Sequence, residues 1–452
     1  MIDLFPFNLI EKGSTILLYG LGKCGHAYFE QNKQLKWCNI KYVSDKVKPI
    51  KDFENLYIKP EDISTITTKV DKIVIAISRS SIVRQVKEQM IKDGIAENMI
   101  ISAVLEDEGI SVDFSEKALR EGKKSKILLV MLGGLGDYVV FLSFYQRLMD
   151  YLPDAEIVIQ GREAFIDALY GQKTNVKIIP EGLEIKNQDE FDCILELNHF
   201  IKVIWYNPLS LPETLVKKLE DYEAEYEGKY NQSEMRDALF IRRMIIAGRN
   251  RYDALGGGKI FDLNTVKLKI EYTEYGKKRY DLYNLKQYVT FNFGSDRLNK
   301  TGTEQLKVWP KEYYIKWIEM FKERYPAVEV VQIGANDVTR IEGADRYILG
   351  EQFEVVKYIL RNAIFHLDCE GGLVHLATAI ETKCIVLFGP TPLEYYAYPQ
   401  NINLYAGVCN GCMDLLDNWY YECINRNKQY CMYSITPESV MGAVNLSEMR
   451  EK

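Results

Sequence analysis

The stretch that decides the fold is LLVMLGGLGDYVVF, residues 128–141. Its apolar run ends in Gly133-Gly134-Leu135-Gly136, Asp137 follows at once, and a helix-length pattern then continues to residue 152. A strand, a glycine turn and a helix form the start of a βαβ unit, so we predict a parallel sheet. Glycines in such a turn usually leave space for a phosphate. A carboxylate, which repels phosphate, therefore needs an explanation.

Asp137 has two interpretations. A carboxylate at the end of a strand is well suited to accept a proton from a hydroxyl group. The same residue type is also a favoured N-cap, and Asp137 directly precedes the helical pattern YVVFLSFYQRL. The local pattern leaves both interpretations open.

A similar strand and glycine turn occur near the N-terminus. The strand at residues 15–19 leads into Gly20-x-Gly22-x-x-Gly25, and Asp45 follows a second strand, 20 residues after Gly25. This spacing meets the dinucleotide fingerprint, in which the acidic residue binds a ribose hydroxyl. NAD is thus a candidate ligand here. We favour the alternative that these glycines serve only the turn and the packing.

A third unit begins with the strand QYVTFNFG, residues 287–294, and contains the features that suit an anion. Gly371 and Gly372 precede a helix whose free N–H groups and dipole favour negative charge. The loop before Trp309-Pro310 adds Lys300 and Lys307, and His375 lies one turn into the later helix. These residues predict a pyrophosphate site, whereas Asp137 predicts a site for a hydroxyl group.

The predicted fold class is α/β, with two Rossmann-like domains facing a cleft and an additional Rossmann-like domain before them. We assign residues 1–105 to this accessory domain and 106–124 to a linker. The two facing domains are predicted at 125–285 and 286–452, with a late helix at the motif TPESVMGAV that could cross back between them. Ligands of open parallel sheets bind outside the carboxyl ends of the strands, so the cleft is the expected site.

Composition excludes several classes of protein. The net charge of −7 over 452 residues disfavours a nucleic-acid partner. No apolar stretch reaches the roughly 20 residues that span a bilayer. The N-terminal residues lack the pattern of a signal peptide, and nine cysteines without that signal do not indicate disulfides. We therefore expect a cytoplasmic protein without transmembrane segments, for which a homo-oligomer remains open.

A segment near the C-terminus contains four closely spaced cysteines. They follow the pattern Cys409-x2-Cys412-x10-Cys423-x7-Cys431. This spacing is typical of a tetrahedral metal site, and four thiolates suit zinc or iron equally. With four protein ligands and no open position, the predicted metal would be structural. The alternative is a loop with reduced cysteines and no metal.

Three motifs resemble those of one family. The opening stretch up to EIVI, the element KVWP at 307–310 and DCEGGLVHLATAIETKCIVLFGPT at 368–391 occur in the order seen in glycosyltransferase family 9, the lipopolysaccharide heptosyltransferases. The cysteine segment is similar to that of the autotransporter-adhesin heptosyltransferases, which modify protein serines. The resemblance covers roughly residues 125 to 445 and leaves the first 120 residues outside.

The resemblance implies a GT-B fold and inverting transfer of a sugar, such as a heptose, from a nucleotide diphosphate. Asp137 would be the general base on the acceptor hydroxyl, and Lys307 with the amides around Gly371 and Gly372 would stabilise the leaving diphosphate. No divalent cation is then expected for catalysis. Glu370-Gly371-Gly372 departs from the family's Asp-Ser-Gly or Asp-Thr-Gly, which leaves the donor open, as does the long loop that contains Lys300. The acceptor would be a protein serine or threonine, or a saccharide.

Two other functions remain as alternatives. One is an NAD-dependent oxidoreductase centred on the glycines at 20–25 and Asp45, although no Tyr-x-x-x-Lys pair accompanies them. The other is a protein that binds a nucleotide sugar without catalysis, for which the Glu-Gly-Gly departure is the best support.

Overall fold

The computed structural model describes most of the chain. The described residues are 5–7, 9–46, 53, 55–77, 80–102, 124–171, 173–182, 190–226, 236–294, 305–407, 409–416, 419–426 and 430–449. They separate into two compact units, one made of Met1–Ser111 with Ala224–Phe240 and the other of Val112–Glu223 with Ile241–Lys452. Most of the predicted linker at 106–124, and Lys300, lie outside the described residues.

The first unit contains a four-stranded parallel sheet with the order β2-β1-β3-β4. Its strands and helices are β1 (Thr15–Tyr19), α1 (Lys23–Leu35), β2 (Asn39–Ser44), β3 (Lys72–Ile75), α2 (Ser80–Lys92) and β4 (Ile100–Ser102). Short 3-10 helices occupy Pro60–Lys69 and Glu97–Met99. The apolar strand residues enter two hydrophobic clusters of this unit, as expected for a parallel sheet that is covered by helices.

The first sheet of the second unit has the order β7-β6-β5-β8-β9. Its strands are β5 (Lys126–Met131), β6 (Glu156–Gly161), β7 (Val176–Pro180), β8 (Cys193–Leu197) and β9 (Ile201–Tyr206). Its helices are α3 (Leu135–Tyr151), α4 (Glu163–Tyr170), α5 (Glu213–Tyr226), α6 (Arg236–Ile246) and α7 (Arg251–Gly256). The opening stretch therefore forms β5, the glycine turn and α3, as its pattern predicts.

One edge of this sheet differs from the prediction of a parallel sheet. Strand β9 pairs with β8 in antiparallel orientation. Only residues 198–200 separate the two strands, and such a short connection permits a hairpin but not the long crossover that a parallel pair needs. The sheet is mixed for this reason, and the turn 198–200 lies at the carboxyl end of β8.

The second sheet of this unit is parallel and has the order β12-β11-β10-β13-β14-β15. Its strands are β10 (Tyr288–Asn292), β11 (Glu329–Gly334), β12 (Arg346–Leu349), β13 (His366–Cys369), β14 (Cys384–Phe388) and β15 (Ile402–Tyr405). The remaining helices are α8 (Glu274–Asp281), α9 (Lys311–Arg324), α10 (Phe353–Asn362), α11 (Gly372–Ala379), α12 (Leu393–Tyr396), α13 (Tyr430–Tyr433), α14 (Pro437–Gly442) and α15 (Leu446–Met449).

The C-terminal helix forms as predicted but does not cross back to the first sheet. Thr436 caps α14, with its side chain accepting a hydrogen bond from the Ser439 amide at 3.2 Å. The helix packs on α9, and Val440 and Met441 are buried in the core of the second sheet. The apolar residues of this six-residue helix are thus buried within the half that contains the second sheet. That part of the prediction was wrong.

Helix α8 makes contacts beyond its predicted domain. It lies within the predicted 125–285 range, yet the Thr273 hydroxyl at its N-cap donates to Glu354 Oε2 at 2.8 Å, and Tyr358 donates to the Thr273 carbonyl at 3.1 Å. Both partners belong to α10, which packs on the second sheet. The connection between the two sheets is therefore hydrogen-bonded to α10, in the C-terminal half.

The two sheets of the second unit meet at their carboxyl edges. Strands β5 and β13 each end in a turn that starts a helix, α3 and α11, and the first turns of these two helices are in contact. Two Rossmann-like sheets that face each other across their carboxyl edges form the GT-B arrangement, as predicted. The expected position of the functional site is where α3 and α11 begin.

Candidate functional site

Two glycines allow the first turns of α3 and α11 to touch. A Cβ atom at Gly136 would lie 2.5 Å from His375 Cδ2, and one at Gly372 would lie 2.9 Å from Leu135 Cβ. Neither distance is compatible with a side chain unless the neighbour moves. Gly136 and Gly372 therefore serve the approach of the two helices, rather than leaving a gap for a ligand at these two points.

The other glycines of the first turn have different roles. Gly133 has a φ of +121°, and its missing Cβ would lie 2.5 Å from Asp137 Oδ2. The space at Gly133 is thus taken by the aspartate itself. Gly134 has no atom within 4 Å of an added Cβ. Of the three predicted glycines, Gly134 is the one beside open space.

Asp137 caps its helix and also forms an ion pair. Its Oδ2 accepts a hydrogen bond from the Gly134 amide at 3.0 Å, which makes Asp137 the third residue of a capping box rather than the N-cap. Its Oδ1 accepts from Arg251 Nη2 at 2.9 Å. The side chain of Asp137 stays 28% exposed, whereas that of Arg251 is 2% exposed. The capping role is formed, and the carboxylate still reaches solvent.

The surroundings of Asp137 keep it ionised. Burial has the largest single effect and would raise its pKa, but the charges of Arg251 and His199 and the two hydrogen bonds together outweigh it. The pKa of Asp137 therefore lies below its usual value. At neutral pH the carboxylate carries a charge and can accept a proton, which is the state that a general base requires.

On the other side of the contact, three side chains form a chain of polar bonds. Lys307 Nζ lies 2.9 Å from Glu370 Oε2, and His375 Nε2 lies 3.1 Å from Glu370 Oε1. All three side chains are nearly buried. The structure thus brings together Lys307, Glu370 and His375, three of the predicted donor-binding residues, directly beside Gly136.

Both members of the Lys307–Glu370 pair are charged. Burial opposes the charge of each group, yet Lys307 and then His375 lower the pKa of Glu370 to about 2. Glu370 in turn raises the pKa of Lys307 above its usual value. An ammonium group has three N–H donors, and the bond to Glu370 takes one of them. Lys307 can therefore hold Glu370 and bind a further anion.

The element KVWP fixes the position of Lys307. Trp309 is fully buried, its indole N–H donates to the Ile435 carbonyl at 2.7 Å, and its amide bonds the Cys369 sulfur at 3.3 Å. Helix α9 begins at Lys311 with Pro310 as its N-cap. The buried tryptophan places Lys307 beside the end of β13, where Glu370 follows.

The series of polar bonds continues from His375 to two tyrosines, Tyr398 and Tyr252, which the sequence did not indicate. Its Nδ1 lies 2.6 Å from the Tyr398 hydroxyl, which lies 3.2 Å from the Tyr252 hydroxyl. Tyr398 follows α12 of the second sheet, and Tyr252 is in α7 of the first. Hydrogen bonds therefore connect Lys307 to the half of the unit that contains Asp137.

Arg251 is the other residue that the sequence analysis missed. It follows Asn250, whose side chain accepts hydrogen bonds from the Tyr252 and Asp253 amides and caps α7. The pattern Asn-x-x-Asp could have indicated the start of this helix. No pattern indicated that the adjacent arginine is buried, because burial here depends on α3 and on the turn at 198–199.

In the predicted dinucleotide turn of the first unit, two of the three glycines face other protein atoms and one faces open space. Added Cβ atoms at Gly20 and Gly25 would lie 2.8 Å from the Ala76 carbonyl oxygen and 1.9 Å from the Gly20 carbonyl oxygen, so these glycines serve the turn and the packing. Gly22 has nothing within 4 Å. Asp45 Oδ2 accepts from the Leu21 amide at 2.6 Å. The carboxylate thus binds the turn itself, which supports the packing interpretation.

The thiols of the four predicted metal ligands influence one another electrostatically. Burial raises the pKa of Cys431 to about 12, and the thiols of Cys409, Cys412 and Cys423 act in the same direction. The Asn425 amide nitrogen lies 3.2 Å from the Cys409 sulfur. In the described part of the chain, however, no three His, Cys, Asp or Glu side chains are gathered as metal ligands. Zinc or iron at this site stays a prediction.

The cysteine segment is attached beside the site. Amides of Gly411 and Met413 donate to the carbonyls of Gly389 and Pro390, at 2.9 and 2.8 Å, and the Leu306 amide donates to the Tyr420 carbonyl at 2.7 Å. Arg242 also donates to the Gly411 carbonyl. The segment therefore contacts both the turn after β14 and the residue that precedes Lys307.

Among the described helices, none is long and apolar enough to cross a membrane.

Comparison with curated proteins shows a similarity to a heptosyltransferase. No protein-family model matches the chain. Lipopolysaccharide heptosyltransferase 1 of Campylobacter coli is 23% identical over 312 residues, which are 62% of this chain and 88% of that protein.

Solved structures of glycosyltransferases also match. The glycosyl transferase family 9 protein from Veillonella parvula DSM 2008 has a TM-score of 0.47 and 13% identity, over 72% of this chain and 97% of that one. The iron-containing dodecameric glycosyltransferase TibC from enterotoxigenic E. coli H10407 has a TM-score of 0.48 and 14% identity, over 73% and 80%. The chain is similar to heptosyltransferases, and the curated relative points to a glycosyltransferase.

The contact between Gly136 and His375 gives a testable prediction. Gly136→Ala should lower the free energy of unfolding by about 1–3 kcal/mol, because the new methyl group meets a ring that is held by Glu370 and Tyr398. Urea unfolding measures this change. Gly134→Ala is the matched control, since open space surrounds that position.

A double-mutant cycle with His375→Ala isolates the cause. Without the ring, Gly136→Ala should cause a much smaller loss in the free energy of unfolding. Equal losses of stability in both backgrounds would show that the contact does not set the identity of residue 136.

Proposed function

We propose that this chain is an inverting glycosyltransferase that transfers a sugar from a nucleotide diphosphate to a hydroxyl group. The observation that carries the proposal is the contact between the first turns of α3 and α11. An ionised carboxylate, Asp137, lies on one side of this contact, and a buried ammonium group, Lys307, lies on the other. The 23% identity to a heptosyltransferase supports the same conclusion.

The N-termini of α3 and α11 differ, and the difference favours a donor site beside α11. The N-terminal turn of α3 already holds a carboxylate, because Asp137 accepts from the Gly134 amide. The turn of α11 has Gly371 as its N-cap, without a capping side chain. Its N–H groups and Lys307 would bind the diphosphate, with Lys307 and the helix dipole taking the place of a divalent cation.

The proposed reaction is one displacement at the anomeric carbon. The acceptor oxygen forms a bond to this carbon, while the bond to the diphosphate oxygen breaks and leaves its electron pair on the diphosphate. The hydroxyl proton passes to Asp137. Because its pKa is low, Asp137 is a weak base and takes the proton late, after the new bond has made the hydroxyl more acidic.

The donor and acceptor are the finer parts of the proposal. Because the curated relative is named a heptosyltransferase, a nucleotide-activated heptose is the first donor to try. The acceptor is a serine or threonine of a protein, or a saccharide. A cytoplasmic location and a homo-oligomer stay predictions from the sequence, as do the domain boundaries.

A panel of donors tests the proposal. ADP-heptose, GDP-, UDP- and dTDP-sugars, NAD and NADP are each added, and the unfolding temperature is measured. A ligand at about 100 times its Kd stabilises the native state by roughly 2.7 kcal/mol. We expect a shift with one nucleotide sugar, which Lys307→Ala abolishes. A shift with NAD alone would favour the oxidoreductase alternative.

Asp137→Asn tests the catalytic step in the same protein. Asparagine can still cap α3 but cannot accept the proton, so transfer should fall about 10²–10⁴-fold while donor binding persists. Asp150→Asn, in the last turn of the same helix, is the matched control and should keep full activity. Unchanged transfer by Asp137→Asn would make the base assignment wrong and favour a non-catalytic binding protein.

We also propose a structural zinc or iron ion held by Cys409, Cys412, Cys423 and Cys431. The CxxC spacing and the electrostatic influence of the four thiols on one another support it. Elemental analysis should find about one metal ion per chain in the purified protein, lost in Cys409→Ser and Cys412→Ser. Cys38→Ser, in the first unit, should retain it. Metal-free protein that folds as well as the metal-loaded form would contradict the proposal.

A further inference from the structure

Arg251 has the contacts of a residue that organises the base. Its guanidinium donates to Asp137 Oδ1 at 2.9 Å, to the Asn198 carbonyl at 2.8 Å and to the His199 carbonyl at 3.0 Å. The guanidinium carbon also lies 5.8 Å from the ring centre of Phe141. One side chain thus joins α7, α3 and the turn at the carboxyl end of β8.

The geometry explains why this residue is an arginine. The planar guanidinium presents several N–H donors in fixed directions, so it can bind two carbonyl groups and a carboxylate at once. Arg251 reaches the three oxygens from two separate nitrogens, whereas the single nitrogen of a lysine would have to lie within bonding distance of all three. The backbone carbonyls at 198 and 199 anchor the arginine, and the arginine in turn fixes one oxygen of Asp137.

We propose that Arg251 is the positioning residue for Asp137 in sugar transfer. It holds Oδ1 while the Gly134 amide holds Oδ2, so the carboxylate points in one direction and stays ionised. The acceptor proton then reaches a lone pair of a fixed oxygen, and Arg251 itself exchanges no proton. This inference rests on the proposed function, because it assigns a role within that reaction.

In the described part of the chain, titratable groups surround Asp137 from several elements, and across the contact with α11 these are His375, Glu370 and Lys307. His199 lies in the turn after β8, Tyr396 in α12 and Tyr138 next to Asp137 in α3. Both tyrosines have pKa values above their usual range because they are buried, so they are neutral at assay pH. Arg251 contributes more than His199 to keeping Asp137 ionised.

The test is the pH profile of transfer by Arg251→Gln. Activity requires ionised Asp137 and is lost as the pH falls through its pKa. Removal of the positive charge raises that pKa, so the acid limb of kcat/KM should move up by about 1–3 pH units. At the plateau, kcat should fall about 10- to 100-fold because the carboxylate is no longer fixed, while the donor KM stays nearly the same. An acid limb that does not move would overturn the proposal.

Arg251→Lys keeps the charge but loses the forked contacts. We expect kcat to fall while the acid limb stays near that of the wild type, and a kcat equal to that of the wild type would contradict the positioning role. This variant also decides the matter if Arg251→Gln does not fold.

Arg147→Gln is the matched control. Arg147 lies on α3, the helix of Asp137. Like Arg251, it donates to two backbone carbonyls, those of Phe261 and Asp262, but its hydrogen bonds do not include Asp137. It should lower thermal stability without moving the acid limb. If the wild type transfers no sugar from any donor, the proposed function is wrong, and so is this inference. If the wild type transfers sugar but the acid limb of Arg251→Gln stays in place, only this inference is wrong.

Discussion

The contact between the N-terminal turns of α3 and α11 is the constraint on which the site depends. Each helix presents the positive end of its dipole there, so the two ends repel each other unless negative charge is placed between or beside them. Asp137 in the first turn of α3, and Glu370 just before α11, provide that charge. The aspartate at the end of a glycine turn is thereby explained, since it offsets the helix dipole that a phosphate would otherwise offset.

Each carboxylate has a cation on its own side of the contact. Arg251 and Asp137 come from the first sheet's half, whereas Lys307 and Glu370 come from the second. Burial would penalise any of these charges alone, and removal of one partner from such a pair typically costs about 3–5 kcal/mol. Because each pair is neutral within its own half, the two halves meet without a net charge from these four residues. In the proposed function, the amides of α11 and the remaining N–H donors of Lys307 would then attract the anion.

The sequence predicted much of the fold, because the motifs are local. A strand, a glycine turn and a helix lie within a few residues of one another, so the periodicity revealed β5 and α3, and the cap at Thr436 revealed α14. The short hairpin that makes β9 antiparallel was missed, and so was the packing of α14 on α9, which depends on tertiary contacts. The same limit applies to the site: Lys307, Glu370 and His375 lie in recognisable motifs, whereas Arg251 and Tyr398 are placed by residues distant in sequence.

The departure at Glu370 makes physical sense in this network. A carboxylate at this position has to reach both Lys307 Nζ and His375 Nε2, which the two oxygens of Glu370 do at 2.9 and 3.1 Å. Aspartate is one methylene shorter, and its oxygens would stay nearer to the backbone. The next residue, Gly371, is extended with a φ of 174° and has no side chain to fill the space. The longer acid and the missing hydroxyl therefore belong together: Glu370 binds within the protein, and Gly371 adds no side chain to the same contacts.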